Sequence, residues 1–279
     1  MFFNNFIKIF CLLLIVTQGI YGQQWQRNTE KLEPELLNIF HSTQAINLPT
    51  AETLQKGDFE FEISHRFIPS IKSGSKGLWG FDGPVNIRFG LGYALTDNTL
   101  ITLGRSNLED NLDLSIKYRV FQFNNNIFPL LFAIRGGAAW NSDVIGRNSS
   151  SSKNYQYFAQ LIINAKHTKY FALGIVPSYL YNSYIYCSNN QYSFTMGINM
   201  QYYISNMWSL LLELNPTVTG WRSKHNPVSF GLELETGGHF FKIILSNSTK
   251  LNTSQFLSGS SNSFNDGNMH IGFNITRVL

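Results

Sequence analysis

The closing stretch of the chain alternates between apolar and polar side chains. In residues 268–279 the apolar residues Met269, Ile271, Phe273 and Ile275 share one parity, and His270, Gly272, Asn274 and Thr276 share the other. A period of two predicts a β-strand with one apolar and one polar face. We expect this strand to pair with the first strand of the chain and to close a barrel.

The same alternation recurs from Asp58 onward and predicts an all-β fold. The predicted strands are 58–68, 85–94, 99–105, 112–122, 127–140, 154–166, 170–182, 191–205, 207–217, 228–235, 238–247 and 268–278. Most have the length of a tilted membrane strand, about 9–11 residues, whereas strands of soluble sandwiches usually have about 5–6. Pro177 falls inside a predicted strand and is expected to cause a bulge.

Short and long connections alternate between these strands. The short ones, rich in Asn, Asp and Gly, are Leu95–Asn98, Phe123–Asn126, His167–Lys169, Asn206 and Thr236–Gly237. The others are Pro69–Pro84, Asn141–Lys153, Ser183–Asn190, Val218–Pro227 and Ser248–Gly267, with a brief Ser106–Asn111. Short periplasmic turns and longer outer loops are typical of an up-and-down outer-membrane barrel. We therefore expect a twelve-stranded antiparallel up-and-down transmembrane β-barrel over residues 58–279, in the bacterial outer membrane.

The residues before the barrel divide into two segments. Residues 1–22 predict a signal peptide, because Lys8 precedes the apolar core Ile9–Val16, which is too short to span a bilayer as a helix. Residues 23–57 form a lead-in with a predicted short helix near Glu35–His41. The lead-in lies in the periplasm, enters the barrel mouth as a plug, or is an unstructured tail. After signal removal Cys187 is the one cysteine left, which excludes an internal disulfide.

Composition supports a lipid-facing β protein. The chain has 23 Phe, 13 Tyr and 5 Trp against 14% charged residues, and the aromatic residues cluster near predicted strand ends, as in the two aromatic belts of a membrane barrel. Removal of the signal takes away Lys8 and leaves a net charge of about +3. Proteins that bind nucleic acid carry concentrated basic patches, whereas the basic residues here are few and scattered. We therefore expect outer-membrane lipid, and no nucleic acid, as a partner.

The polar parity of the predicted strands carries charges of both signs. The predicted lumen-lining residues are Glu60, Glu62, Arg66, Arg88, Asp113, Lys117, Arg119, Glu213, Glu233, Glu235 and Lys242, together with Arg135 and Lys166. Such charges either pair across the lumen and close it or line a narrow wet path. Twelve strands enclose less space than the roughly 16–18 of an open porin. Inward glycines, among them Gly197 and Gly231, leave room for a solute or for the N-terminal segment.

No catalytic, cofactor-binding or metal-binding set is predicted. Ser64 and His65 are neighbours on a strand and face opposite ways. His239 has no hydroxyl on its face, and His270 is expected near Arg66 in a structural role. No pair of His or carboxylate residues has metal-ligand spacing. The sequence therefore predicts a protein that is not an enzyme and has no cofactor.

Three stretches in order carry a family resemblance: Thr50–Phe67, Gly231–Phe241 and Ile271–Leu279. Together they resemble a family of outer-membrane β-barrel proteins of unknown function from Bacteroidetes-type bacteria, from about Phe40 to the end. The resemblance implies a membrane barrel and no activity. Leu279 stands where such barrels usually end in Phe, at the strand expected to engage the barrel-assembly machinery.

Three functions agree with these patterns. The first is a narrow passive channel or transporter component for small solutes. The second is a closed structural or docking barrel without conductance, and the third, least favoured, is an outer-membrane lipid hydrolase.

Overall fold

Strands occupy most of the part of the chain that can be described. The structure is a computed structural model and describes residues 37–125 and 128–279. The predicted signal peptide 1–22, residues 23–36 of the lead-in and the predicted strand start at 127 lie outside the described residues.

Within residues 37–125 and 128–279, thirteen strands form one antiparallel sheet. They are β1 Phe59–Phe67, β2 Val85–Thr96, β3 Thr99–Ser106, β4 Asn111–Phe123, β5 Leu130–Asn141, β6 Tyr155–Thr168, β7 Phe171–Tyr181, β8 Tyr192–Tyr203, β9 Trp208–Leu214, β10 Thr217–Gly220, β11 Val228–Glu235, β12 His239–Ser246 and β13 His270–Val278. The short helices are the 3-10 turns Ile71–Gly80, Leu108–Asp110 and Ser152–Asn154 and the α-helix α1, Thr253–Leu257. No helix in the described ranges is long and apolar enough to cross a membrane.

The sheet closes on itself through its first and last strands. β1 pairs with β2 on one side and with β13 on the other, in register from Glu60 opposite Val278 to Arg66 opposite Gly272. β9 and β10 both pair with β8, one after the other, and together occupy one strand position in the barrel wall. The thirteen strands therefore fill twelve strand positions, here called staves, each with two neighbours among the described strands. The predicted twelve-stranded closed barrel is confirmed.

The two faces of the wall differ as the alternation predicts. Outward residues such as Phe61, Ile116 and Ile243 are large, apolar and exposed, whereas the inward Glu62 and Asp113 are buried. Exposed aromatic residues also lie near both ends of the staves: Tyr170, Tyr202 and Trp208 near short turns, and Tyr155, Tyr179 and Tyr192 near long loops. The exterior is thus apolar and the buried core of the molecule lies inside the barrel.

Two predictions about prolines need correction. The strand predicted at 207–217 ends at Leu214, and a separate strand, β10, begins at Thr217 after Asn215 and Pro216. Val218–Gly220, predicted to belong to a loop, therefore lie in β10. Proline has no N–H to donate, so the ladder is interrupted there. Pro177 causes no bulge, because Gln160 lies opposite Ser178 and Ile163 opposite Ile175 in one unshifted register. A missing donor does not require an extra residue.

The helix predicted near Glu35–His41 is absent from its described part, residues 37–41. The backbone N–H groups of Ile39 and Phe40 donate to Glu52 Oε1, at 2.8 and 3.0 Å, where a helix would use carbonyls four residues back. A side chain thirteen residues away therefore replaces the helical hydrogen bonds.

Candidate functional site: the filled lumen

Residues 39–52, here called the plug, lie inside the barrel. Ile39, Phe40, Ile46, Leu48 and Ala51 are each 3% exposed or less. The plug folds back on itself without regular secondary structure, with Thr50 N donating to Thr43 O at 3.0 Å and Ala45 N to Leu48 O at 2.9 Å. The remaining backbone groups of the plug have to find partners on the barrel wall, because buried N–H and C=O groups are costly to leave unpaired.

Glu213 of β9 supplies the largest set of these partners. Its carboxylate accepts from the backbone N–H groups of Ile46, Asn47 and Leu48 at 3.3, 2.8 and 2.7 Å, and from Asn47 Nδ2 at 2.9 Å. Glu213 is fully buried. A buried carboxylate that accepts several N–H groups keeps its charge satisfied without a counter-ion.

Two lysines of the wall bind carbonyl groups of the plug. Lys242 Nζ donates to Gln44 O at 2.6 Å, Ala45 O at 2.7 Å and Ser42 Oγ at 2.8 Å, and Lys117 Nζ donates to Thr43 O at 2.9 Å and Thr50 O at 3.0 Å. The plug thus presents N–H groups to a carboxylate and carbonyls to ammonium groups on different staves.

Further wall residues bind side chains of the plug. Thr43 Oγ1 donates to the Glu60 carboxylate at 2.7 Å. His41 Nδ1 lies 2.8 Å from Glu233 Oε1, and Glu233 Oε2 lies 3.3 Å from Lys242 Nζ. Arg119 lies at a longer 3.7 Å from Glu52 Oε2. These contacts join the plug to the wall by charge as well as by backbone hydrogen bonds.

Arg66 of β1 and Asn274 of β13, which are hydrogen-bonded across the closing seam, also reach the plug. Arg66 donates to Asn274 Oδ1 at 2.8 Å and to Asn47 Oδ1 at 3.2 Å. Asn274 Nδ2 donates to Ile46 O at 3.0 Å. The seam that closes the barrel is therefore held in part through the plug.

Glu62, Arg88 and Asp113 form a separate group. Arg88 lies 3.3 Å from Glu62 Oε2 and 3.6 Å from Asp113 Oδ1, and its Nε donates to Asn252 Oδ1 at 2.7 Å. Asn252 precedes α1, in the loop after β12. These predicted lumen residues thus anchor the outer loop to the wall.

Glu235 has a different environment from the other predicted lumen residues. It is half-buried at the short-turn end of β11, and its Oε1 accepts from the N–H groups of Gly237 and Gly238 at 2.7 and 3.1 Å. Its role is to close the β11–β12 turn.

An apolar patch on the inner wall, missed by the sequence reasoning, packs against the plug. Ile39, Phe40 and Ala51 lie in one cluster with wall residues Leu131, Ala133, Ile162, Ala172, Val176 and Tyr203. The signal was present in the sequence, because these aliphatic wall residues on β5–β7 have the inward parity. An open pore would expose them to water.

The plug meets the outer loop inside the lumen, toward the long-loop ends of β6 and β7. Leu48 clusters with Phe158 and Leu180 of the wall and with Phe256 and Leu257 of α1. Glycine makes room for it, since a Cβ at Gly197 would lie 2.7 Å from Leu48 Cδ1. The lumen is therefore filled from one end by the plug and from the other by the loop that carries α1.

The histidines considered for catalysis do not form a hydrolase site. His65 faces outward and stacks on Phe273, with ring centroids 4.4 Å apart, while Ser64 faces inward and bonds Glu62. His239 stacks on Phe241. His270, expected near Arg66, has its Nδ1 3.2 Å from Phe67 O. No group of three or more potential metal ligands occurs among the residues described.

Comparison with known proteins gives a family. No curated protein sequence matches the chain. Among solved structures, the NanC porin is 10% identical over 79% of this chain and 98% of its own, with a TM-score of 0.47. The KdgM porin is 8% identical over 79% and 97%, with a TM-score of 0.41. An outer-membrane channel from Pseudomonas putida F1 is 13% identical over 82% and 98%, with a TM-score of 0.46. Likenesses this distant carry no argument about activity.

The family match covers nearly the whole described chain. Residues 40–279 match the family described as "Membrane bound beta barrel domain (DUF5777)", and this span includes most of the plug as well as the barrel. Bacterial outer-membrane barrels of a single chain have an even number of antiparallel strands, as the twelve staves do here. The chain therefore belongs to this membrane-bound β-barrel family, and its place is the bacterial outer membrane.

Proposed function

We propose that this protein is a self-plugged outer-membrane barrel that does not conduct with the plug in place, and that small solutes pass when the plug withdraws. The observation that carries the proposal is the Glu213 carboxylate, which binds three consecutive backbone N–H groups of the plug inside the lumen. Glu213 therefore lies on the wall where its carboxylate satisfies the backbone of the plug.

Packing supports the closed ground state. Apolar wall residues of β5–β7 contact Ile39, Phe40 and Ala51, and Leu48 contacts the outer loop. A passive open pore would leave both surfaces in water at about 25 cal/mol for each Å². The apolar surface of the lumen is therefore complementary to the plug.

Withdrawal of the plug is supported by how it is attached. It forms no strand with the wall, and its bonds to the barrel run largely through side chains. A cavity of about 470 Å³ lies beside its first residues, between Phe40, Lys166 and Tyr203. Charges released from the plug, such as Glu213 and Lys242, would then line a polar path with little preference for either ion sign.

The test is planar-bilayer conductance of the refolded mature chain and of a variant that lacks residues 23–54. We expect no openings from the complete chain and discrete openings from the deletion. Glu213→Ala, which removes the acceptor of the three N–H groups, should give intermittent openings. Glu235→Gln is the matched control, because Glu235 closes a turn away from Glu213's contacts and should leave the chain silent.

Plug position is checked separately by cysteine labelling. In a Cys187→Ser background, Ala51→Cys should resist a membrane-impermeant maleimide, because Ala51 is fully buried. Ser149→Cys in an exposed outer loop should react. Openings from the complete chain while Ala51→Cys stays protected would contradict the proposal.

The second candidate is a closed docking barrel without any solute path. It is favoured by the outer loop, whose residues 251–260 are buried in the barrel mouth and contact the plug. A folded deletion variant that remains silent in the bilayer would select this candidate. We propose no enzymatic activity, since the candidate histidines contact aromatic rings or backbone.

A further inference from the structure

A cavity of about 720 Å³ opens among the outer loops. Its wall includes Glu109, Tyr184, Tyr186, Trp221, Arg222 and Lys250. Small-molecule sites usually enclose about 300–1,000 Å³. The cavity is distinct from the contacts that hold the plug, because its lining residues come from loops and strand ends on the long-loop side.

Aromatic rings form one side of this cavity. Tyr184 and Trp221 stack with ring centroids 4.5 Å apart and planes 6° from parallel, and Tyr186 lies beside Tyr184 at 6.1 Å. The two rings thus contact each other face to face. Rigid amphipathic rings provide contact area at a low cost in side-chain entropy.

Positive charge dominates the same wall. Arg222, Lys224 and Lys250 line the cavity against one carboxylate, Glu109, which already accepts from Tyr186 Oη at 2.8 Å. Lys250 Nζ donates to Ser258 Oγ at 2.8 Å. An ammonium group has three N–H donors, so Lys250 keeps capacity to bind an anion.

Two buried polar atoms in the lining lack a partner. Gln255 of α1 donates through Nε2 to Leu108 O at 2.7 Å, but its Oε1 accepts nothing. Ser183 Oγ is likewise buried and unpartnered. A buried polar atom that lacks a hydrogen-bond partner destabilises the protein. Small side-chain shifts would turn both atoms toward the cavity, where a ligand with hydroxyl groups would satisfy them.

We propose that the outer cavity binds a small acidic saccharide, one that carries hydroxyl groups and a carboxylate or phosphate. The acid group pairs with Lys250 and Arg222, the sugar ring lies against the Tyr184–Trp221 stack, and hydroxyl groups bind Gln255 Oε1 and Ser183 Oγ. This goes beyond the plugged-barrel proposal and does not depend on withdrawal of the plug.

The test is calorimetric titration of the refolded mature chain in detergent with glucuronate, glucose and acetate. Glucuronate should bind, whereas glucose, which lacks the charge, and acetate, which lacks the ring and hydroxyls, should bind at least about tenfold more weakly, the ratio expected for loss of one charged hydrogen bond. Lys250→Gln and Arg222→Gln should each weaken glucuronate binding by about tenfold. Lys76→Gln changes an exposed lysine outside the lining and should have no effect.

Purified lipopolysaccharide distinguishes two sources of the same chemistry. Competition with glucuronate would identify the ligand as the saccharide of a lipid headgroup, and lack of competition as a soluble saccharide. Equal binding of glucose and glucuronate, or unchanged affinity in folded Lys250→Gln and Arg222→Gln, would overturn the proposal. Heat-modifiable mobility in electrophoresis verifies that each variant is folded, and Arg222, being exposed, tests the site without disturbing the core.

Discussion

Buried charges in this barrel are satisfied by backbone groups as well as by opposite charges. Glu213 receives four hydrogen bonds, all from the plug. Lys242 divides its donors between plug carbonyls and Glu233. Breaking such an arrangement on one side leaves an uncompensated buried charge, which costs more than the bonds are worth in the intact state. The plug and the wall therefore depend on each other for the hydrogen-bond partners of their buried groups.

Lys250 gives the outer cavity a predicted pH dependence. Burial lowers the pKa of Lys250 to about 8, against a smaller opposing effect of Glu109. The group is charged below that pH and loses its charge as the pH rises through it, while glucuronate stays anionic. We expect calorimetric affinity for glucuronate to fall by about tenfold between about pH 7 and pH 9.

Lys250→Arg is the control for this dependence, because a guanidinium stays charged throughout that range. The variant separates Lys250 from the other titratable and charged groups of the cavity, which are Glu109, Arg222, Lys224, Tyr184 and Tyr186. An equally steep pH dependence in Lys250→Arg would assign the effect to one of those groups instead.

At the scale of elements, strand β8 shows how the wall and the plug fit each other. Gly197 faces Leu48, and Gly231 of β11 faces Ile46, where a Cβ would lie 3.3 Å from the Ile46 Cδ1 atom. Glycine inside a strand weakens packing, so its position here has a reason in the close approach of the plug. The inward glycines leave space that the N-terminal segment uses.

Gly197→Leu should displace the plug while the strand still forms. The new side chain would occupy the place of Leu48, and overpacking of this kind costs about 1–3 kcal/mol. We expect maleimide labelling of Ala51→Cys to become about tenfold faster or more. Gly136→Leu is the control, since Gly136 faces outward with no side chain in the way of a Cβ, and it should leave the labelling rate unchanged. Equal rates in both variants would count against a plug seated on β8.

At the scale of the whole molecule, the barrel is apolar outside and a packed core inside. Outward residues such as Ile116 and Leu114 of β4 are exposed, and their inward neighbours Ser115 and Lys117 are buried. A soluble protein seldom exposes so continuous an apolar surface. A soluble domain buries its apolar side chains between layers of secondary structure, whereas this barrel buries them among the plug, the outer loop and the inner wall.

Ile116→Arg tests which solvent the exterior faces. Ile116 lies near the middle of β4, where an arginine facing lipid should cost about 2–4 kcal/mol, measured as free energy of unfolding by urea in lipid vesicles. Phe123→Arg, at the short-turn end of the same strand, should cost about 0–1 kcal/mol. Equal and small costs at both positions would show that the face meets water.

The sequence by itself determined most of the strands, their faces, the alternating turns and the closure of β1 on β13. These follow from period two and from turn chemistry, which act between residues close in the chain. Only the tertiary structure decided that the lumen is filled. The bonds from the plug to Glu213 and Lys242 join residues more than 160 positions apart, and no local pattern tells whether an inward carboxylate meets water, a cation or a backbone N–H group. The apolar inward residues of β5–β7 indicate that this part of the lumen is not lined by water, but only the tertiary structure shows that the plug packs against them.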